Sequence, residues 1–172
     1  MALQARPGAK WFAFIEDDTA LVWSNLLRWL MTYDHEDLYF FGREERVADH
    51  PFPYGGSGFV LSNAALQKAV HWMTPQMDQY LNLTRDQMYG DVVLGWMLED
   101  AGIPLTDISP LFQGESPSML EYTENMWCKS VITHHHMSGD EITSLWKLEQ
   151  KITEKDGVLT PASKKTSILI DL

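Results

Sequence analysis

The 172-residue sequence holds a single cysteine, Cys128, so no disulfide can form within it. A lone thiol most often packs as a small hydrophobe, and the redox compartment stays open. Cationic residues are scarce as well: 13 Lys and Arg face 24 Asp and Glu, for a formal net charge of −11 and a pI near 4.8. Such a surface repels phosphate backbones and makes nucleic acid an unexpected partner, whereas acid-rich chains suit divalent cations. No stretch approaches the roughly 20 apolar residues that span a bilayer, and the first nine residues, Met1 to Ala9, lack the long apolar stretch of a signal peptide. Repeats and low-complexity tracts are missing too. The glycine-rich turn at 55–58 lacks both the Lys of a P-loop and the spacing of a dinucleotide fingerprint, and no HExxH or cysteine pair supports zinc.

What is present is a chain with enough apolar residues, 45%, for one domain with a substantial core. Seven Trp and nine Met point to bulky core packing or an aromatic-lined cleft. Asn82-Leu83-Thr84 is a glycosylation sequon, relevant if the chain enters the secretory pathway.

Trp11-Phe12-Ala13-Phe14-Ile15 is a continuous apolar run, the pattern of a strand buried on both faces. It breaks into Glu16, Asp17 and Asp18. Helical spacing of Leu21, Leu26, Leu27 and Leu30 predicts an amphipathic helix over 21–31. A second strand is expected over 37–41, and the polar stretch 43–54, with Pro51 and Pro53, reads as a loop. The glycine turn feeds a third strand at Phe59-Val60-Leu61, and Ser62 caps a helix over 64–72. A further helix spans 90–101 and stops at Gly102. Residues 103–108 suit a strand, 109–127 a long loop, and 131–133 a short strand before three histidines. Ser138 to Glu141 has capping-box spacing and opens a helix to about Glu149. The tail over 152–172 is weakly patterned, with Ile168-Leu169-Ile170 able to dock as a last strand. Strands alternating with helices predict an α/β fold with a mainly parallel sheet and flanking helices, whose ligands sit at the carboxyl ends of strands.

Three features could carry chemistry. Acids crowded at a strand end repel one another, and either full exposure to water or a bound cation relieves that cost. Their hard oxygens suit Mg²⁺ or Mn²⁺. His134, His135 and His136 on an extended segment point alternately, so at most two share a side. They form either a partly buried strand end or an imidazole ligand, and one imidazole beside carboxylates favours Mn²⁺. Asp91 stands at a helix start, where an acid is either a cap or a general base facing the cleft.

In this order the features resemble a known family. Lys10-Trp11-Phe12-Ala13-Phe14-Ile15-Glu16-Asp17-Asp18-Thr19 is similar to the strand and acidic triplet of Fringe-like, inverting β-1,3-glycosyltransferases, with the core 1 galactosyltransferase group and its fungal relatives nearest. Tyr54-Gly55-Gly56-Ser57-Gly58-Phe59-Val60-Leu61-Ser62 looks like the family's Gly-Gly-Ala-Gly-Tyr-Val-Leu-Ser segment. Gly90-Asp91-Val92-Val93-Leu94-Gly95 resembles its Glu-Asp-Val-x-x-Gly helix start, and the segment from Trp127 to Met137, with Asp140, Glu141 and Trp146 beyond, resembles the fungal ending. Glu16 replaces the triplet's first aspartate, and Gly90 stands where an acid usually precedes the base.

The resemblance implies a GT-A-like fold that moves a hexose, galactose or N-acetylglucosamine, from a UDP-sugar to a glycan or glycoprotein acceptor with Mn²⁺. By position it assigns Asp18 and His135 to the metal and Asp17, with the glycines Gly55 and Gly56, to the nucleotide sugar. Asp91 becomes the catalytic base. Relatives act in the Golgi or endoplasmic reticulum lumen and carry a membrane anchor and an N-terminal nucleotide-binding half. The sequence is therefore expected to be one partial glycosyltransferase domain lacking that half. A non-catalytic remnant and a metal-dependent phosphoester hydrolase are the competing expectations.

Overall fold

The structure is a computed structural model and describes residues 2–121, 123 and 129–156. The expected strand at Ile168-Leu169-Ile170, together with Trp127 and Cys128, lies outside the described residues. After a short helix α1 (Ala2–Ala5), the apolar run becomes β1 (Trp11–Phe14), buried on both faces as its composition requires. A two-residue strand β2 (Ala20–Leu21) and helix α2 (Trp23–Leu30) follow, then β3 (Phe40–Gly42).

Residues 43–54 correct the sequence reading. They form a β-hairpin, β4 (Glu44–Val47) and β5 (His50–Pro53), rather than a loop. Prolines two apart present the same strand edge, so Pro51 and Pro53 can both stand where no ladder donor is needed. The hairpin lies against α5 (Gly90–Asp100), and Gly95 permits this, because a Cβ there would come within 2.8 Å of Phe52 Cβ.

A glycine turn over Gly55–Ser57 leads through Gly58, whose φ of 77° lies in the left-handed region, into β6 (Phe59–Ser62). Ser62 then caps α3 (Asn63–Met73), its Oγ accepting from Ala65 N at 3.1 Å. Helix α4 (Met77–Asp86) has no counterpart in the sequence pattern, whereas α5 ends as expected at Gly102, with φ 69°. The long stretch after it contains β7 (Thr106–Asp107) and β8 (Phe112–Gln113), and β9 (Thr133–His134) takes in the first histidine. The helix after the histidines, α6 (Gly139–Asp156), outruns its expected end near Glu149. Its capping box forms as read: Glu141 Oε2 accepts from Ser138 N at 2.8 Å, and Ser138 Oγ accepts from Glu141 N at 3.3 Å.

The α/β class with flanking helices stands, but the expectation of a mainly parallel sheet needs correction. The central sheet has the order β1-β6-β3-β7, in which β6 runs antiparallel to both neighbours and only β3 and β7 pair in parallel. A second sheet, β2-β9-β8, pairs β8 and β9 in parallel and β2 antiparallel. Alternation of strands with helices misleads here because β3 and β6 are joined by a hairpin and a turn rather than by a crossover helix. The consequence is functional. Strands β1, β3 and β7 share one direction, so the acids leave the same edge of the sheet at which the glycine turn enters β6. In an all-parallel sheet those two features would lie at opposite edges.

Two apolar clusters cover the two faces. Phe40 and Leu61 pack with Val93, Leu98 and Ile103 beneath α3 and α5, and Phe41 and Val60 pack with Trp11, Leu26 and Leu30 beneath α2. Phe41 is ringed by Trp11, Trp29, Tyr33 and Tyr39 at centroid distances of 4.7–6.2 Å, so part of the aromatic excess is core packing. This rigid layer fixes the carboxyl end of β1.

Candidate active site

Beyond Phe14 the chain turns through Glu16, Asp17 and Asp18, closed by Thr19 N donating to Glu16 O at 3.1 Å. Two buried threonine hydroxyls lace this turn and the histidine segment onto the glycine turn. Thr19 Oγ1 donates to Gly56 O at 2.7 Å, and Thr133 Oγ1 donates to Ser57 O at 2.6 Å. Met137 N donates to Asp18 O at 2.9 Å, which joins the acids to the histidines directly. Neither threonine stands out in the sequence, although each adjoins a motif: Thr19 follows the acids and Thr133 precedes the histidines.

The side chains converge accordingly. His135 Nε2 stands 3.2 Å from Asp18 Oδ1 and 3.7 Å from Glu16 Oε2, and His136 Nδ1 stands 3.7 Å from Asp18 Oδ2. One ligand atom from each of Asp18, His135 and His136 falls within 4.8 Å of the others. Consecutive histidines face one carboxylate because the chain leaves the extended conformation at His136, whose φ is 54°. The two rings stack at 3.8 Å. His134, still in β9, turns away and is buried, with Nδ1 3.4 Å from Glu115 O, and burial pushes its pKa down so that it is neutral.

These residues fit a divalent cation. Asp18 Oδ1 is buried without an aligned hydrogen bond, even though an imidazole nitrogen lies 3.2 Å away. Neighbouring ligands held about 2.1 Å from one ion at right angles stand roughly 3 Å apart. Gly56 makes room for the imidazole, since a Cβ there would overlap the His135 ring. A donor set of one carboxylate and two imidazoles is of the kind that favours Mn²⁺ over Mg²⁺.

Asp91 occupies the first turn of α5. Its Oδ1 accepts from Val92 N at 2.9 Å and its Oδ2 from Gly55 N at 3.1 Å, so one carboxylate ties the helix start to the glycine turn. With Glu16 and Gly55 it rims a cleft of about 220 Å³, whose apolar lining includes Phe14 and Phe59, stacked at 4.9 Å. The structure thus brings Asp18, His135, Gly55, Gly56 and Asp91 to one edge of the sheet. Asp17 is exposed and makes no hydrogen bond or ion pair among the described residues. Tyr54, which precedes the glycines, also belongs here: its hydroxyl lies 3.3 Å from His135 Nδ1. Burial and the Glu115 charge push its pKa up, so it stays a phenol at neutral pH.

A family description, Fringe-like, matches residues 2–155. A Mus musculus protein named beta-1,3-glucosyltransferase is 30% identical over 142 residues, covering 79% of this chain and 27% of that protein. The chain therefore spans well under half the length of this relative. Matched over nearly its whole described length, the chain belongs to the Fringe-like family.

Proposed function

We propose that the chain carries the acceptor-side catalytic centre of a metal-dependent, inverting glycosyltransferase. On this reading it transfers a hexose (glucose, galactose or N-acetylglucosamine) from a UDP-sugar to a glycan or glycoprotein. The observation that carries the reading is the meeting of Asp18 with His135 at 3.2 Å, beside a cleft that Asp91 lines. Asp18 and His135 would hold the cation, with His136 within reach. A divalent cation so bound supplies positive charge that offsets the charge of the UDP leaving group.

The protein's own groups divide the remaining work. Asp91 takes the proton from the acceptor hydroxyl as that oxygen attacks the donor sugar from the face opposite UDP. Hydrogen bonds from Gly55 and Val92 fix its carboxylate in orientation while each oxygen keeps a free lone pair. Phe14 and Phe59 offer an apolar floor on which a sugar face can lie. Asp17, exposed beside Asp18, faces the donor, and Gly55 and Gly56 let backbone approach it closely. The site's setting is the lumen of the secretory pathway, where the Asn82 sequon can also be used.

The test is release of UDP from the three UDP-hexoses with Mn²⁺ and a glycan acceptor. Expected is turnover that needs Mn²⁺ and is lost in Asp91→Asn while Mn²⁺ uptake is retained. Hydrolysis of a generic phosphodiester that disappears in Asp18→Ala, without turnover of any UDP-sugar, would overturn the transferase in favour of a phosphoester hydrolase.

A further inference from the structure

His135 has two ring nitrogens, and the structure gives each a different neighbour. Nε2 faces the carboxylates of Asp18 and Glu16 at 3.2 and 3.7 Å. Nδ1, on the other side of the ring, faces the Tyr54 hydroxyl at 3.3 Å, the two rings meeting edge to face with centroids 5.5 Å apart. The ring has little room to exchange these positions, because Gly56 lies against one edge and His136 stacks on it at 3.8 Å.

A neutral imidazole carries one proton, and a nitrogen that binds a cation must offer its lone pair. If Nε2 turns its lone pair to a cation shared with Asp18, the proton resides on Nδ1 and needs an acceptor. Tyr54 Oη stands where that acceptor must be. The tyrosine is itself held: its N donates to Arg43 O at 2.8 Å, and the Arg43 guanidinium lies over its ring, 5.6 Å from the centroid. On a further side, Gly114 leaves no space, since a Cβ there would come within 2.9 Å of Tyr54 Cε1.

We propose that Tyr54 is a positioning residue that holds His135 in the Nδ1–H tautomer and thereby keeps Nε2 open to the cation. This assignment rests on the metal reading given above. Tyr54 touches neither the donor nor the cation; it acts through the imidazole. Outer partners of metal-bound histidines typically change metal affinity by about 10- to 100-fold when removed.

The experiment uses the 172-residue chain, wild type and Tyr54→Phe, with Mn²⁺ alone as the probe. Free Mn²⁺ is counted by its electron paramagnetic resonance signal, and thermal melts check that the variant folds. Expected is an affinity at least about tenfold weaker in Tyr54→Phe at an unchanged melting temperature without metal. Nitrogen-15 spectra of the Cd²⁺-loaded wild type should show the His135 proton on Nδ1 and exchanging slowly with water. Should the variant fail to fold, those spectra decide the matter, and a proton on Nε2 overturns the assignment. Equal Mn²⁺ affinity in a folded variant overturns it while leaving the metal site intact. Absence of Mn²⁺ uptake by the wild type overturns both.

Discussion

Replacing Gly56 by alanine probes the candidate site with one methyl group. Gly56 is buried, and its φ lies outside the left-handed region, so alanine strains no backbone torsion. Its Cβ, however, would lie 2.6 Å from His135 Nε2 and 2.5 Å from Nδ1. Cε1 is closer still, and ordinary contact begins near 3.4 Å, so the ring must retreat by more than 0.9 Å, the difference between 3.4 Å and the 2.5 Å to Nδ1. Metal–ligand distances tolerate only about 0.2 Å, so such a retreat removes His135 from the donor set. Overpacking of this kind costs about 1–3 kcal/mol, which for a chain of this size lowers the melting temperature by roughly 2–12 °C. The assay pairs a thermal melt with Mn²⁺ titration. Expected are a modest fall in melting temperature and a loss of Mn²⁺ affinity of about 100-fold or more, since a whole ligand is lost. Gly90→Ala is the control: nothing lies within 4 Å of its Cβ, and it should leave Mn²⁺ affinity unchanged without lowering the melting temperature. Full Mn²⁺ affinity in folded Gly56→Ala would show that His135 is not a ligand.

Three further outcomes follow from contacts away from the cation. Ser62→Ala should destabilise the fold by about 1–2 kcal/mol in chemical denaturation, because Ser62 Oγ accepts from both Ala65 N and Tyr39 N and donates to Asp37 O. Glu149→Ala should cost about 1–3 kcal/mol by the same assay, since this buried carboxylate in α6 accepts from Ser24 N at 2.5 Å in the first turn of α2. Asp107 gives a pH dependence: burial pushes its pKa up, but bonds from Glu44 N, Ser109 N and the Ser109 hydroxyl outweigh this and hold it below the ordinary value. A lowered carboxylate pKa contributes stability present above its unfolded-state value, about 3.9, and lost as pH falls through the folded one. Unfolding midpoints of wild type should therefore drop through that acidic window more steeply than those of Asp107→Asn.

The sequence made some parts of this molecule easy to read and hid others, for physical reasons. Strand β1 was legible because an apolar run that stops at three acids fits a buried strand and little else, and Ser62 and Ser138 because capping chemistry is local. The hairpin over 43–54 was hidden by Pro51 and Pro53, whose tolerance depends on which edge faces outward, a tertiary fact. Strand direction was hidden for the same reason, since no local pattern says that β6 runs against its neighbours. At the candidate site, Asp18, His135, Gly56 and Asp91 were named from motifs, and the structure brings them together. That His136 joins His135 was not readable, because it turns on the left-handed backbone of His136, which lets both rings face the same carboxylate. Thr19, Tyr54 and Thr133 lie in or beside those motifs but received no role, because their work is done by hydrogen bonds to residues distant in sequence.

The proposed function depends above all on one divalent cation shared by Asp18 and His135. Anomalous diffraction from crystals of the chain soaked in Mn²⁺ tests it most directly. A shared cation predicts a single strong anomalous peak bonded to an Asp18 carboxylate oxygen and to His135 Nε2, absent in Asp18→Asn crystals. A peak elsewhere, or none at this site while the protein is saturated with Mn²⁺, would contradict it.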